Sequence, residues 1–272
     1  MPERETVRAD AVVIGAGLGG LGAAGYLALA GHTVVVLEYH TVPGGYAHEF
    51  KRRGFRFEVA LHALDGAGPG GWLGPILEDL GVTDRVEINK LDPFYTARFP
   101  GLELTVPADL SAYVTKLKVA FPDDSGGIDS LFSAIQRVAL DTSRYGMERA
   151  AGRRPTPVEM MERFPDMAAA FSQSWKAFMD GHIDDSRLQA VVSTLWGYLG
   201  LPPSMLSAGL FSLLLNSYHT TGAWYPKGGS QAISRAIVDE IVQRGGSVRF
   251  RNRVTKIEVE EGRVVAVETD RG

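Results

Sequence analysis

Six glycines, Gly15, Gly17, Gly19, Gly20, Gly22 and Gly25, lie between two apolar β-branched runs in "AVVIGAGLGGLGAAGYLALAGHTVVVLE", Ala11 to Glu38. A chain that gives up side chains there exposes its backbone. Bare N–H groups at the start of a helix have one evident chemistry, the binding of an anion. In "GAGLGG", Gly15 permits the tight turn out of a strand, Gly17 lets main chain approach a pyrophosphate, and Gly20 lets the helix lie close to the sheet. Ala16, Leu18 and Gly19 belong to the same loop. Glu38 ends the second apolar run 18 residues after Gly20, where a carboxylate accepts hydrogen bonds from ribose hydroxyls and repels a 2′-phosphate. A merely glycine-rich turn would leave Glu38 unexplained. The pattern predicts a dinucleotide site.

That site needs a βαβ unit to hold it, and the periodicity supplies one: a buried strand at Ala11 to Ile14, a helix at Leu18 to Ala30, and a strand at Thr33 to Leu37. Phe50 to Val59 alternates as a strand pair or bent strand, with Phe55, Phe57 and Val59 on one face. Leu64 to Gly74 reads as loop, followed by a helix at Leu73 to Leu80 and strands at Arg85 to Ile88, Tyr95 to Phe99 and Glu103 to Val106. Helices are predicted at Leu110 to Ala120, Ile128 to Glu148, Pro157 to Arg163, Met167 to Met179, Ser186 to Leu199 and Ser204 to Asn216. After the turn-rich "TTGAWYPKGG", a helix at Gln231 to Arg244 leads to strands at Ser247 to Arg251, Val254 to Val259 and Arg263 to Glu268.

Composition narrows the function. The 272 residues are 45% hydrophobic and 22% charged, the make-up of a globular protein with one large or two moderate domains. The net charge of -4 is spread without blocks, which argues against a nucleic-acid partner. Without cysteine there are no disulfides, thiolate metal sites or cysteine nucleophile. The six histidines show no HxxxH or HExxH spacing, so no metal site is expected. The polar start "MPERETVRAD" lacks a signal-peptide apolar core, and "MLSAGLFSLLLNSY" is too short to span a bilayer. A soluble, cytoplasmic protein is expected.

After Glu38 comes "YHTVPGGYAHEFKRRGFRFEVALH", with a glycine pair at Gly44 and Gly45. This resembles the FAD-lining continuation of flavin amine oxidase and phytoene desaturase-like proteins. "WYPKGGSQAISRAIVDEIVQRGGSVRFRNRVTKIEVEEGRVVAVETDRG" resembles their second FAD segment, a glycine turn, helix, strand and β-meander. "GFRFEVALH", "GYLGLPPSMLSA" and "YPKGGSQAI" are most similar to the carotenoid desaturase, carotenoid isomerase and retinol saturase branch. The resemblance implies an α/β fold: a Rossmann-like FAD-binding domain from residues 5–70 and 222–272, with an inserted mixed α+β, mainly helical substrate domain at 71–221. It implies FAD as cofactor, held by Gly15, Ala16, Gly17, Leu18, Gly19, Gly20, Glu38, Tyr39, Gly44, Gly45, Tyr46, Ala47 and Val254. It further implies desaturation, saturation or isomerisation of a double bond in an apolar polyene or isoprenoid. A non-catalytic lipid-binding module of the same architecture, as in Rab GDP-dissociation inhibitors, and amine oxidation are the alternatives. Glu58 and Ala60 depart from the aspartate and glycine of the branch. The family also runs longer, so this chain is expected to be a fragment or one part of a split protein, completed by a missing C-terminal segment or a second chain.

His62 is the candidate for a group facing flavin or substrate, or else a hydrogen-bonded structural histidine, and His219 has the same two readings. Lys51, Arg52, Arg53 and Arg56 could assist an FAD phosphate or form a solvated strand edge. Trp196, Tyr198, Phe211 and Leu213 to Leu215 could line a substrate tunnel or fill ordinary core. The apolar supply of Val191 to Tyr218 suggests an apolar substrate and transient contact with a membrane surface.

Overall fold

A computed structural model describes residues 6–271; Glu5 and Gly272, the outer limits expected for the FAD domain, lie outside the described residues. The chain runs through β1 (Ala11–Ile14), α1 (Leu18–Leu29), β2 (Val34–Leu37), β3 (Glu49–Arg52), β4 (Phe55–Glu58), β5 (Leu64–Asp65), α2 (Leu73–Asp79) and β6 (Ile88–Leu91). Next come β7 (Tyr95–Phe99), β8 (Leu102–Val106), α3 (Leu110–Ala120), α4 (Ser125–Ala150), α5 (Pro157–Arg163), α6 (Pro165–Phe171), α7 (Trp175–Asp180), α8 (Ser186–Val192) and α9 (Ala208–Thr220). It ends with β9 (Ala223–Pro226), α10 (Ser230–Gln243), β10 (Ser247–Arg249), β11 (Val254–Glu260) and β12 (Arg263–Thr269).

The chain forms two compact units, one from the segments up to Lys90 and from Trp224 on, the other Leu91–Ala223. In the first, β1, β2 and β10 make a parallel sheet with β2 in the middle. All four residues of β2 are buried, which is why its sequence is an unbroken "VVVL". Leu21, Ala24 and Ala28 of α1 share a core with Val34 and Val36 of β2 and with Ile233, Ile237 and Ile241 of α10. Each fully buried valine, leucine or isoleucine there contributes about 1.5–3 kcal/mol. Glycine on α1 lets Leu80 pack closely: a Cβ on Gly25 would lie 2.5 Å from Leu80 Cδ2, and that side chain would have to shift. Leu77, Leu80, Val82 and Val86 join the same core, so residues 71–90 pack with the first unit rather than with the inserted segment.

Several elements differ from those the periodicity predicts: the strand expected at Arg85 to Ile88 is β6 at Ile88–Leu91, the expected loop opens with β5 at Leu64–Asp65, and the helix expected from Ser204 starts at Ala208 as α9. The helix expected at Met167 to Met179 is two, α6 and α7, because the Ser174 hydroxyl accepts from Ala177 N–H and starts a new helix. The helix expected to run to Leu199 stops at Val192 and continues as a 3₁₀ turn, Thr194–Tyr198. The "AWYP" of the turn-rich segment is strand β9, between β5 and β6 in a three-stranded sheet. The last two strands, β11 and β12, pair as an antiparallel hairpin.

Candidate functional site

The first unit assembles the glycine pattern into a loop, residues 15–17 between β1 and α1, whose one side chain is the buried Ala16 methyl. Gly15 leaves β1 at φ +96°, a conformation that favours glycine, and its N–H donates to the Leu37 carbonyl at 2.8 Å. Gly17 is the residue before α1 and has no side chain to cap it, so the first N–H groups of the helix stay free for an anion. A Cβ on Gly20 would lie 2.1 Å from the Gly15 carbonyl oxygen, so only glycine lets α1 sit this tightly on its own loop.

The second glycine loop lies against the first. The Gly44 N–H donates to the Ala16 carbonyl at 2.7 Å, and Gly17 and Gly44 pair as an isolated parallel bridge. A Cβ on Gly45 would come within 3.1 Å of Gly17 Cα, and one on Gly44 within 2.2 Å of the Ala47 carbonyl. Both glycines adopt positive φ, +117° and +60°. The two loops therefore meet backbone to backbone.

Glu38 is 5% exposed at the end of β2. Its Oε2 accepts from Ala16 N–H and its Oε1 from His40 N–H, each at 2.7 Å. Two backbone donors hold the carboxylate, and each oxygen keeps a second lone pair for another donor. The residue's own N–H and C=O bond the Arg249 carbonyl and the Asn252 N–H, which brings the start of β11, and with it half-buried Val254, toward this end of the sheet. Ala47 is buried. Gly19 is exposed in the first turn of α1. Tyr39 and Tyr46 are exposed, the Arg253 guanidinium lying 5.9 Å from the Tyr39 ring centroid. His48 Nδ1 bonds the Gly45 carbonyl.

Two residues matter here that pattern reading did not assign. Glu58, noted only as a departure, accepts from Ser230 N–H (2.7 Å), Tyr225 Oη–H (2.6 Å) and Ser230 Oγ–H (2.5 Å), capping α10 and tying β4 to it. Burial and then the Glu58 bond push the Tyr225 phenol pKa up. Gln231 is 1% exposed, and its Nε2 donates to the Pro43 carbonyl at 2.7 Å. The available signal was the serine and glutamine directly after Gly228 and Gly229, at a helix start.

The remaining candidates are dispersed. His62 is exposed between β4 and β5. Lys51, Arg52, Arg53 and Arg56 lie on the exposed β3–β4 hairpin, Arg53 in its turn at φ +49° and Arg56 paired with Glu49 at 3.5 Å. In the second unit His219 is buried, stacked on Tyr113 at 4.5 Å between ring centroids, with no well-aligned hydrogen bond at either ring nitrogen. Burial pushes its pKa down to about 4, against the weaker opposing pull of the Pro107 carbonyl and Asp109. Phe211 is core against Trp175, Leu215 is buried, Leu213 and Leu214 are half-buried, and Trp196 and Tyr198 are exposed. Among the described residues no His, Asp and Glu group could hold a metal, and no helix is long and apolar enough to cross a membrane.

A sequence model of the family described as flavin containing amine oxidoreductase matches residues 18–272. The chain belongs to this family. Within it the chain is similar to the all-trans-retinol 13,14-reductase of Macaca fascicularis, 30% identical over 97% of this chain and 44% of the relative. It is also similar to the phytoene dehydrogenase of Streptomyces griseus, 31% identical over 95% of this chain and 51% of that protein. The crystal structure of an oxidoreductase from Methanosarcina mazei has the same fold, with a TM-score of 0.62 at 23% identity, covering 96% of this chain and 56% of that one. The chain thus spans about half the length of the curated relatives it matches. Family membership makes the expected cofactor a flavin.

Proposed function

We propose that the glycine loops and Glu38 bind FAD, and that the protein is an FAD-dependent oxidoreductase acting on carbon–carbon double bonds of an apolar polyene or isoprenoid. In this reading the first unit is the cofactor domain and Leu91–Ala223 the substrate domain. The observation that carries the cofactor is the cradle itself: two loops meeting through Gly17, Gly44 and Gly45, beside a buried carboxylate with spare lone pairs. These residues fit a dinucleotide. The first N–H groups of α1 bind the pyrophosphate charge, and Glu38 orients the adenosine ribose by accepting from its hydroxyls. Bound flavin supplies hydride transfer. The substrate class is supported by the relatives named for retinol and phytoene, both apolar polyenes.

The test is the absorption spectrum of the purified protein, then release and identification of its cofactor. FAD is expected, with NADP binding at least about tenfold more weakly because Glu38 faces the place a 2′-phosphate would take. Protein that binds neither, or both equally, refutes the assignment.

A water-insoluble substrate must be drawn from lipid, and exposed Trp196 (45%) and Met205 (68%), with Leu210 on α9, support transient contact of the second unit with a membrane surface. Liposome flotation of the parent should be lost in a Trp196→Ser, Met205→Ser double variant. A parent that does not float ends this part of the reading.

A further inference from the structure

Helix α10 buries a polar face where a helix packed into an apolar core would ordinarily place aliphatic residues: Ser230 and Gln231 are 1% exposed and Ser234 is 0% exposed. Each is used on one side. Ser230 is held by Glu58. Gln231 Nε2 donates to the Pro43 carbonyl at 2.7 Å and to Ser234 Oγ at 2.9 Å, and Ser234 Oγ–H donates to the Gln231 carbonyl at 3.1 Å. Ser234 Oγ also backs the second glycine loop, 3.0 Å from where a Cβ on Gly44 would stand. Gln231 Oε1 is buried with no hydrogen-bond partner. A buried unpaired acceptor costs stability, and an apolar residue of the same shape would avoid that cost. The glutamine is therefore not explained by packing alone.

What it touches gives a reason. Pro43 immediately precedes Gly44, whose N–H is bonded to Ala16 and whose backbone pairs with Gly17. A line of contacts runs from α10 through Gln231 to Pro43, then Gly44, then the phosphate-facing turn. We propose that Gln231, supported by Ser234, is a positioning residue that sets the separation of the two glycine loops and so preforms the gap for the pyrophosphate. The helix interior fixes the amide, and the amide fixes the loop. This inference rests on the FAD reading above.

The experiment replaces the amide by a thioether of similar length, Gln231→Met, and reads two quantities: the melting temperature of cofactor-free protein and the Kd for FAD by titration. Removing the unpaired Oε1 favours the fold and unpairing the buried Pro43 carbonyl opposes it, so the melting temperature should change little, while releasing Pro43 weakens FAD about tenfold, the equivalent of one hydrogen bond. A merely structural glutamine would lower both together. Ser234→Ala, a smaller change that keeps the Gln231 to Pro43 bond, should weaken FAD by less than Gln231→Met does. Parent and Gln231→Met binding FAD equally, or a loss of affinity matched by a fall in melting temperature, overturns the proposal while leaving the FAD site standing. A parent that binds no FAD overturns the cofactor reading and this inference with it.

Discussion

Gly17→Ala is expected to weaken FAD binding about a hundredfold, roughly 2.7 kcal/mol, while leaving the melting temperature of the cofactor-free protein almost unmoved. The two effects separate because the fold has room for the methyl group and the ligand does not. Gly17 sits at φ −67°, which alanine adopts freely, and its Cβ would meet only Gly45 Cα, at 3.9 Å, an ordinary contact. That same methyl would stand where main chain must approach a pyrophosphate. Gly20→Ala is the contrasting control: with Gly15 O at 2.1 Å, the loop or α1 must move, at a cost of about 3 kcal/mol in stability. Thermal melts and FAD titrations of both variants make the comparison. Full FAD affinity in Gly17→Ala would remove the pyrophosphate from this loop.

The second large effect is on acid stability. His219 has a folded pKa of about 4 against an ordinary 6.5, so between these values the unfolded chain binds a proton that the native protein does not. Stability from this group is therefore complete above about pH 6.5, falls as the pH drops toward 4, and falls no further below it. The full span corresponds to about 3 kcal/mol. His219→Phe keeps a ring against Tyr113 and removes the titration. Urea unfolding at pH 7 and pH 4.5 should show the parent losing more stability over that interval than the variant does; equal losses would place the acid sensitivity elsewhere.

The βαβ unit and its glycines were legible because every constraint on them is local: strand, turn, helix and acid lie within 28 residues, from Ala11 to Glu38. Strand β9 was not, since "AWYP" before two glycines looks like a turn and becomes a strand only by pairing with β5 and β6, far away in sequence. Glu58 and Gln231 were hidden for the same reason. Their partners, Ser230 for one and Pro43 for the other, are 172 and 188 residues distant. The break between α6 and α7 was written locally, in Ser172 and Ser174, but the apolar period of "MAAAFSQSWKAFM" runs across it and masks the cap. Burial of Phe211 beside exposed Leu210 reflects ordinary helix periodicity, which composition alone does not resolve.

The discontinuity of the first unit also sets an order of events during synthesis. Val35 of β2 pairs with Ser247 of β10, 212 residues later, a span that takes roughly 10 to 40 s to translate. Until then one side of β2 is an unpaired edge, and the face of α1 that meets α10 has no helix against it. The segment Leu91–Ala223 is one contiguous compact unit, so its own contacts form without waiting for the chain that follows it. Its helices can close while the glycine loops, already made, wait for α10 to fix Pro43. The loops of the proposed nucleotide site are thus made well before the helix that braces them.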